Sequence, residues 1–181
     1  MARTIVARWH DWAGVGIEHL VLDERPDGIA VDSVIVGADF GLRYRLSCDA
    51  GWRILAAHIE LVGVDHAVTL AGDGNGAWTD GRGGALVELR GAIDIDIAAT
   101  PFTNTLPLRR LGLGAGASAE IVVAYVAVPD LRVTAERQRY TCLEPGRLYR
   151  FESLDGDFTR DIEVDADGLV VTYPGLFRRA R

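Results

Sequence analysis

Phe40 to Cys48 reads F-G-L-R-Y-R-L-S-C, with Phe40, Leu42, Tyr44, Leu46 and Cys48 at every second position and Gly41, Arg43, Arg45 and Ser47 between them. A period of two held over nine residues fits a half-buried β-strand and no helix, because successive strand side chains point to opposite faces. The same rhythm spreads outward. R-T-I-V-A-R-W (3–9), G-I-E-H-L-V-L (16–22), A-V-D-S-V-I-V (30–36), W-R-I-L-A-A-H-I-E-L (52–61), A-V-T-L (67–70) and A-L-V-E-L (85–89) all read as strands. So do E-I-V-V-A-Y-V-A-V (120–128), L-R-V-T-A-E-R-Q-R-Y (131–140), L-Y-R-F-E-S (148–153), D-I-E-V-D (161–165) and G-L-V-V-T-Y (168–173). Each is short and rich in β-branched or aromatic residues.

Turn chemistry separates them. P-D-G at Pro26, D-G-N-G at Asp73, D-G-R-G-G at Asp80, E-P-G at Glu144, L-D-G-D at Leu154 and D-A-D-G at Asp165 each favour a tight reversal. Neighbouring strands should therefore pair antiparallel through hairpins. One stretch resists, A-A-T-P-F-T-N-T-L-P-L-R-R-L, where Pro101 and Pro107 forbid a central strand and Thr100 can start a short helical turn with Pro101 as its first residue. The expected fold is mainly β, a single domain over 1–181: a curved antiparallel sheet, β-roll or incomplete barrel, with at most one or two short helical turns.

Composition sets the outer bounds. The chain has 181 residues, 49% hydrophobic and 25% charged, enough for one real core. A net charge of −7 argues against a nucleic-acid partner, since phosphate-backbone affinity comes from many basic contacts. All 19 basic residues are arginine, which removes Schiff-base and Walker-type lysine chemistry. M-A-R-T-I-V-A-R-W-H carries no sustained apolar run and no segment is long enough to span a bilayer, so a cytoplasmic protein is expected. Cys48 and Cys142 are single and far apart, which predicts two buried, unpaired thiols.

Residues 93–111 concentrate the polar chemistry: I-D-I-D-I-A-A-T-P-F-T-N-T-L-P-L-R-R-L. In a strand, Ile93, Ile95 and Ile97 share one face and Asp94 and Asp96 the other, with the two carboxylates about 6.5 to 7 Å apart. Two readings are open. The carboxylates form a solvated acidic face, or they hold Arg109 and Arg110, whose planar guanidinium forks match carboxylates. On the second reading the proline-bracketed turn becomes a rigid shelf over the sheet.

D-I-D-I-A-A-T-P-F-T-N-T-L-P-L-R-R-L resembles the signature of the bacterial putative glycolipid-binding domain family, formerly a domain of unknown function. W-H-D-W-A-G-V-G-I-E-H-L, Y-R-L-S-C-D-A-G-W, Q-R-Y-T-C-L, Y-R-F-E-S and V-D-A-D-G-L-V-V-T-Y-P-G-L-F-R-R resemble further segments of that family, in the same order. The resemblance implies a β-rich domain described as a spiral β-roll, and its name implies a glycolipid ligand.

Glycolipid binding calls for an apolar concavity with a few convergent polar groups at its mouth. Thr103, Asn104, Arg109 and Arg110 are the candidate ligand residues, with Glu18 and Tyr173 added, since hydroxyl and amide groups suit sugar hydroxyls and arginine suits a phosphate or carboxylate. Most aromatic residues are expected to fill the core, whereas Trp78, beside D-G-N-G, is expected to be exposed. Other motifs lack context. G-L-G-A-G-A (112–117) follows R-R-L rather than a parallel strand, D-G-N-G and D-A-D-G lack the closing glutamate of a calcium loop, and the four histidines have no ligand spacing. No metal, no cofactor and no catalytic residue is expected. The favoured function is non-catalytic binding of a glycolipid or other amphipathic ligand; the alternatives are a hydrolase-like enzyme with a site in the sheet cleft, and a structural protein that forms homodimers.

Overall fold

Strand follows strand through tight reversals along most of the chain. The computed structural model describes residues 2–180. Its first seven strands are β1 (Arg3–Asp11), β2 (Ile17–Arg25), β3 (Gly28–Val36), β4 (Gly41–Cys48), β5 (Ile54–Leu61), β6 (Ala67–Gly72) and β7 (Trp78–Asp80). The other seven are β8 (Asp94–Ile97), β9 (Ser118–Val126), β10 (Val133–Glu144), β11 (Leu148–Ser153), β12 (Thr159–Val164), β13 (Val170–Tyr173) and β14 (Phe177–Arg179). All fourteen belong to one curved, open sheet, which is not a closed barrel. The spatial order runs from β7 back to β1, crosses to β14, and continues back to β8. The seam between the halves is the pairing of Trp9 with Arg179 and Asp11 with Phe177.

Aspartates build the turns as their sequence contexts predict. Oδ1 of Asp73 accepts the backbone N–H of Asn75 (2.7 Å) and Ala77 (3.0 Å), and Asp49, Asp80 and Asp165 each accept from residues two and four positions on. Such side-chain turns satisfy backbone donors that a hairpin ladder leaves over. Among the described residues, the sole parallel pairing is β8 with β9. Its connection is the long 98–117 segment rather than a hairpin, as parallel neighbours require a crossover.

That segment is helical and buried. A 3-10 turn (Phe102–Asn104) leads into helix α1 (Thr105–Leu111), and every residue from 101 to 108 is buried. Thr100 Oγ1 accepts the Phe102 N–H at 3.0 Å, fixing the entry. Pro107 falls in the first turn of α1, where an N–H has no intrahelical partner. Gly112 ends α1 in the left-handed conformation, φ +55°, with its N–H on the Leu108 carbonyl. The proline-bracketed residues thus plug the inside of the roll rather than forming a shelf over it, because Phe102, Leu106 and Leu108 are apolar side chains that need cover.

Two apolar clusters fill the molecule. The larger lies under β1–β8 and includes Trp9, Leu20, Leu42, Ile59, Ile95, Phe102 and Cys48; the smaller, under β10–β13, gathers Tyr140, Phe151, Ile162, Tyr173 and Cys142. Both thiols are free and buried in different clusters. Two strand-level expectations are corrected. A-L-V-E-L forms a single 3-10 turn, Val87–Leu89, with Leu89 buried and Val87 exposed. Trp78 is buried, only 4% exposed, and its indole N–H donates to the Ala92 carbonyl at 2.7 Å. The chain returns over β7 here, so closely that a Cβ on Gly76 (φ +96°) would stand 2.8 Å from Gly91 Cα.

Candidate functional site

Strand β8 carries two carboxyl groups with different surroundings. Asp94 has no exposed side-chain surface, which removes the solvated-face reading for it. Arg110 clamps it bidentately, Nε to Oδ1 at 3.1 Å and Nη2 to Oδ2 at 2.5 Å. Burial pushes the Asp94 carboxyl up and Arg110 pulls it back. Planar fork against planar carboxylate is the geometry in which a buried pair is best held.

Asp96, two residues on, has no arginine. Its Oδ1 accepts the Thr103 hydroxyl at 2.9 Å and its Oδ2 the Gln138 amide at 2.7 Å. Burial pushes its carboxyl up, and these two neutral donors only partly oppose the shift. Asp96 keeps part of its surface open to a cavity of about 330 Å³. Asp96, Asn104, Gln138 and Thr100 supply the polar lining. Phe151, Phe158, Tyr173 and Phe177 line the same cavity, linked edge to face or tilted: Phe151–Phe158 5.9 Å, Phe151–Tyr173 6.3 Å and Tyr173–Phe177 6.4 Å between centroids. Tyr125, Glu136 and Ser153 complete the rim.

Hydrogen bonding in the cavity is incomplete. Gln138 is 2% exposed, and its Oε1 is buried without a partner although its Nε2 is used on Asp96. A buried acceptor left unmade costs about 1 to 3 kcal/mol. Asn104 is held more fully: Oδ1 accepts the Tyr140 hydroxyl at 2.9 Å and Nδ2 donates to the Pro101 carbonyl. Among the described residues, no arginine or histidine lines this cavity. Burial also pushes up Glu136, Tyr125 and Tyr173, each with a further push from the charge of Asp96.

Glu18 sits on the other side of Thr100. It is 3% exposed, and its carboxyl receives three hydroxyls: Tyr44 at 2.6 Å and Ser33 at 2.7 Å on Oε1, Thr100 at 2.7 Å on Oε2. Desolvation raises it from 4.5 to about 7 against the pull of those hydroxyls. Among the described residues no cation pairs with it.

The six candidate ligand residues therefore do not converge. Asn104 and Tyr173 line the aromatic cavity, and Thr103 stands one bond behind it, on Asp96. Glu18 is buried behind Thr100 rather than at the cavity's mouth. Arg110 is spent on Asp94. Arg109 points away, with Nη2 2.9 Å from Glu24 Oε1, Nη1 donating to the Asp167 carbonyl at 2.9 Å, and its guanidinium 4.5 Å above the Trp52 ring. The notion that Asp94 and Asp96 jointly hold the arginine pair is thus half corrected: one aspartate holds one arginine. Gln138 and the rings of Phe151, Phe158 and Phe177 are not among the residues the sequence singles out, and Thr100 is marked there only as the start of a helical turn. Gln138 interrupts the charged run E-R-Q-R, and its inward phase with Tyr140 and Cys142 was the available signal.

The architecture is thus one curved, open β-sheet around a helical plug, with a half-open cavity lined by aromatic and polar side chains. The chain belongs to the family described as "Putative glycolipid-binding", whose model matches residues 6–179. It is also similar to the crystal structure of a DUF1089 family protein from Pseudomonas aeruginosa, with 39% identity and a TM-score of 0.79 over 90% of this chain and 92% of that one. No curated protein matches.

Proposed function

We propose that this protein binds an amphipathic, sugar-bearing ligand without transforming it, and that the headgroup sits in the aromatic cavity. The observation that carries the reading is the cavity itself, which the aromatic rings of Phe151, Phe158, Tyr173 and Phe177 line together with Asp96, Asn104 and Gln138. Aromatic rings suit the C–H surfaces of a sugar, and its hydroxyls can donate to the part-exposed Asp96 carboxylate and, once the Gln138 side chain shifts to open its buried Oε1, to Gln138. The family description points to the same ligand class. Asn104 and Tyr173 contact the ligand in this reading, Thr103 orients Asp96, and Arg109 and Arg110 hold the fold. The site is built from one chain, so a homodimer is not required. Residues 1–181 act as one domain, supported by the single continuous sheet. A cytoplasmic location goes with the two buried free thiols. No helix among the described residues is long and apolar enough to cross a membrane.

Isothermal titration with octyl β-glucoside, below its micelle-forming concentration, tests the reading. Saturable one-to-one binding is expected, weakened at least tenfold by Ala98→Trp, whose ring would occupy the cavity. Absence of saturable binding, or an Ala98→Trp variant that binds unchanged, rejects it. A hydrolytic reading rests on one observation, that Asp96 and Glu136 line the same cavity with both carboxyls pushed up by burial. Release of nitrophenol from nitrophenyl glycosides, abolished by Asp96→Asn, would favour it over simple binding.

A further inference from the structure

A second cavity, of about 270 Å³, lies beside the first under the ends of β1 to β4. Its walls are Trp9, Ile35, Phe40, Ala99 and Phe177, with Glu18 and Asp11 as its acidic members. Phe177 lines both cavities, and the adjacent alanines divide between them, Ala98 to the first and Ala99 to the second. One cavity thus has an amide and acid floor, and its neighbour is chiefly hydrocarbon.

Hairpin order fixes what surrounds the second cavity. The β1–β2, β3–β4 and β13–β14 turns fall at one end of the sheet, as shown by the pairs Ile17–Val36 and Asp11–Phe177 and by the Trp12 N–H on the Leu176 carbonyl at 2.8 Å. These turns and the strand ends beside them expose Trp12 (46%), Val15 (64%), Val36 (55%) and Leu176 (38%). The β3–β4 turn also exposes Asp39, whereas at the opposite end four turns carry aspartates, Asp27, Asp49, Asp73 and Asp165. A single exposed apolar residue means little, but several gathered beside one apolar cavity make an apolar approach to it.

We infer that this second cavity is the tail compartment, taking the alkyl chain of the same ligand whose headgroup rests on Asp96 and Gln138. The inference rests on the headgroup reading for the ligand's identity, and on its own lining for the chain. Phe177 separates the two parts, and the chain enters from the end of the sheet that carries the apolar turns. Glu18 lies against this compartment with its carboxyl occupied by three hydroxyls, so it presents no competing site for the sugar.

Calorimetric titration of methyl, hexyl and octyl β-glucoside and of octan-1-ol, on wild type, Ala98→Trp and Ala99→Trp, tests it. In the wild type, affinity should rise about fourfold per methylene until the compartment is full. Ala99→Trp should flatten that dependence and abolish octanol binding, whereas Ala98→Trp should weaken every glucoside and spare octanol. Ala38→Phe, at an exposed position lining the same cavity, repeats the test should Ala99→Trp fail to fold. An unchanged chain-length dependence in the folded variant overturns the tail compartment and leaves the headgroup reading standing. Octanol binding that Ala99→Trp removes, without any gain from the sugar, sustains the compartment and overturns the headgroup reading. No binding of any probe to the wild type overturns both.

Discussion

Asp94 and Asp96 lie two residues apart on one short strand, and their surroundings divide the molecule into a part that holds and a part that is left open. Asp94 meets a guanidinium that matches both of its oxygens, and it has no exposed surface. Asp96 meets an amide and a hydroxyl and keeps a face to a cavity. A fold in need only of anchoring would treat both alike. A buried carboxyl without a cation, beside an unpaired amide oxygen, is instead a costly arrangement for which the aromatic cavity gives a reason.

The largest effect should come from breaking the anchor. Asp94→Asn or Arg110→Met leaves a buried group without its partner, and each should destabilise by about 3 to 5 kcal/mol in urea unfolding. The double variant should cost much less than the sum, because the partners share one interaction. Asp96→Asn should cost no more than about 1 kcal/mol, since an amide can still accept from Thr103 and meet Gln138, and yet it should weaken octyl β-glucoside binding. Equal destabilisation by Asp94→Asn and Asp96→Asn would erase the distinction between the two aspartates.

Glu18 sharpens the contrast by pH. Its folded carboxyl titrates near 7 and its unfolded one near 4.5. Between those values the folded state holds the extra proton, so this group favours folding at low pH and its contribution is lost as pH rises from 4.5 to 7. The difference amounts to about 3 kcal/mol. Unfolding free energies measured across that window should therefore fall more steeply with rising pH in the wild type than in Glu18→Gln. Parallel profiles would show that the three hydroxyls hold Glu18 ionised in the fold throughout. The smallest effect belongs to Arg109, whose ion pair with Glu24 is one-third exposed and whose other contacts are the Asp167 carbonyl and the Trp52 ring. Arg109→Met should lower stability by about 1 kcal/mol and leave glucoside binding unchanged; weakened binding at unchanged stability would return Arg109 to the ligand.

Much of this fold could be read from the sequence because strand periodicity and turn chemistry are local. The alternation from Phe40 to Cys48 became β4, and the aspartate turns formed where D-x-x-G contexts place them. Failures came where tertiary contact decides. A-L-V-E-L has strand composition, but it is the link that carries the chain from β7 toward β8, and a 3-10 turn there buries Leu89. Trp78 follows a turn in sequence yet is covered by residues that return to it, ending on Ala92. The polar residues of 100–105 stand out in the sequence, but their partners lie at 18, 44, 140 and 168, and no spacing rule links those positions. Two adjacent arginines one helical step apart point to different places, Arg110 to β8 and Arg109 to Glu24 and Trp52, so sequence proximity misled where helix geometry decided.

A crystal structure of the protein with octyl β-glucoside decides where the headgroup sits. The sugar is expected among Phe151, Phe158 and Tyr173, with a hydroxyl near Asp96, another within hydrogen-bond reach of a shifted Gln138 side chain, and the Asp94–Arg110 pair undisturbed. A sugar bound instead at Arg109 or Arg110, or an aromatic cavity holding only water while the ligand sits elsewhere, would contradict that placement.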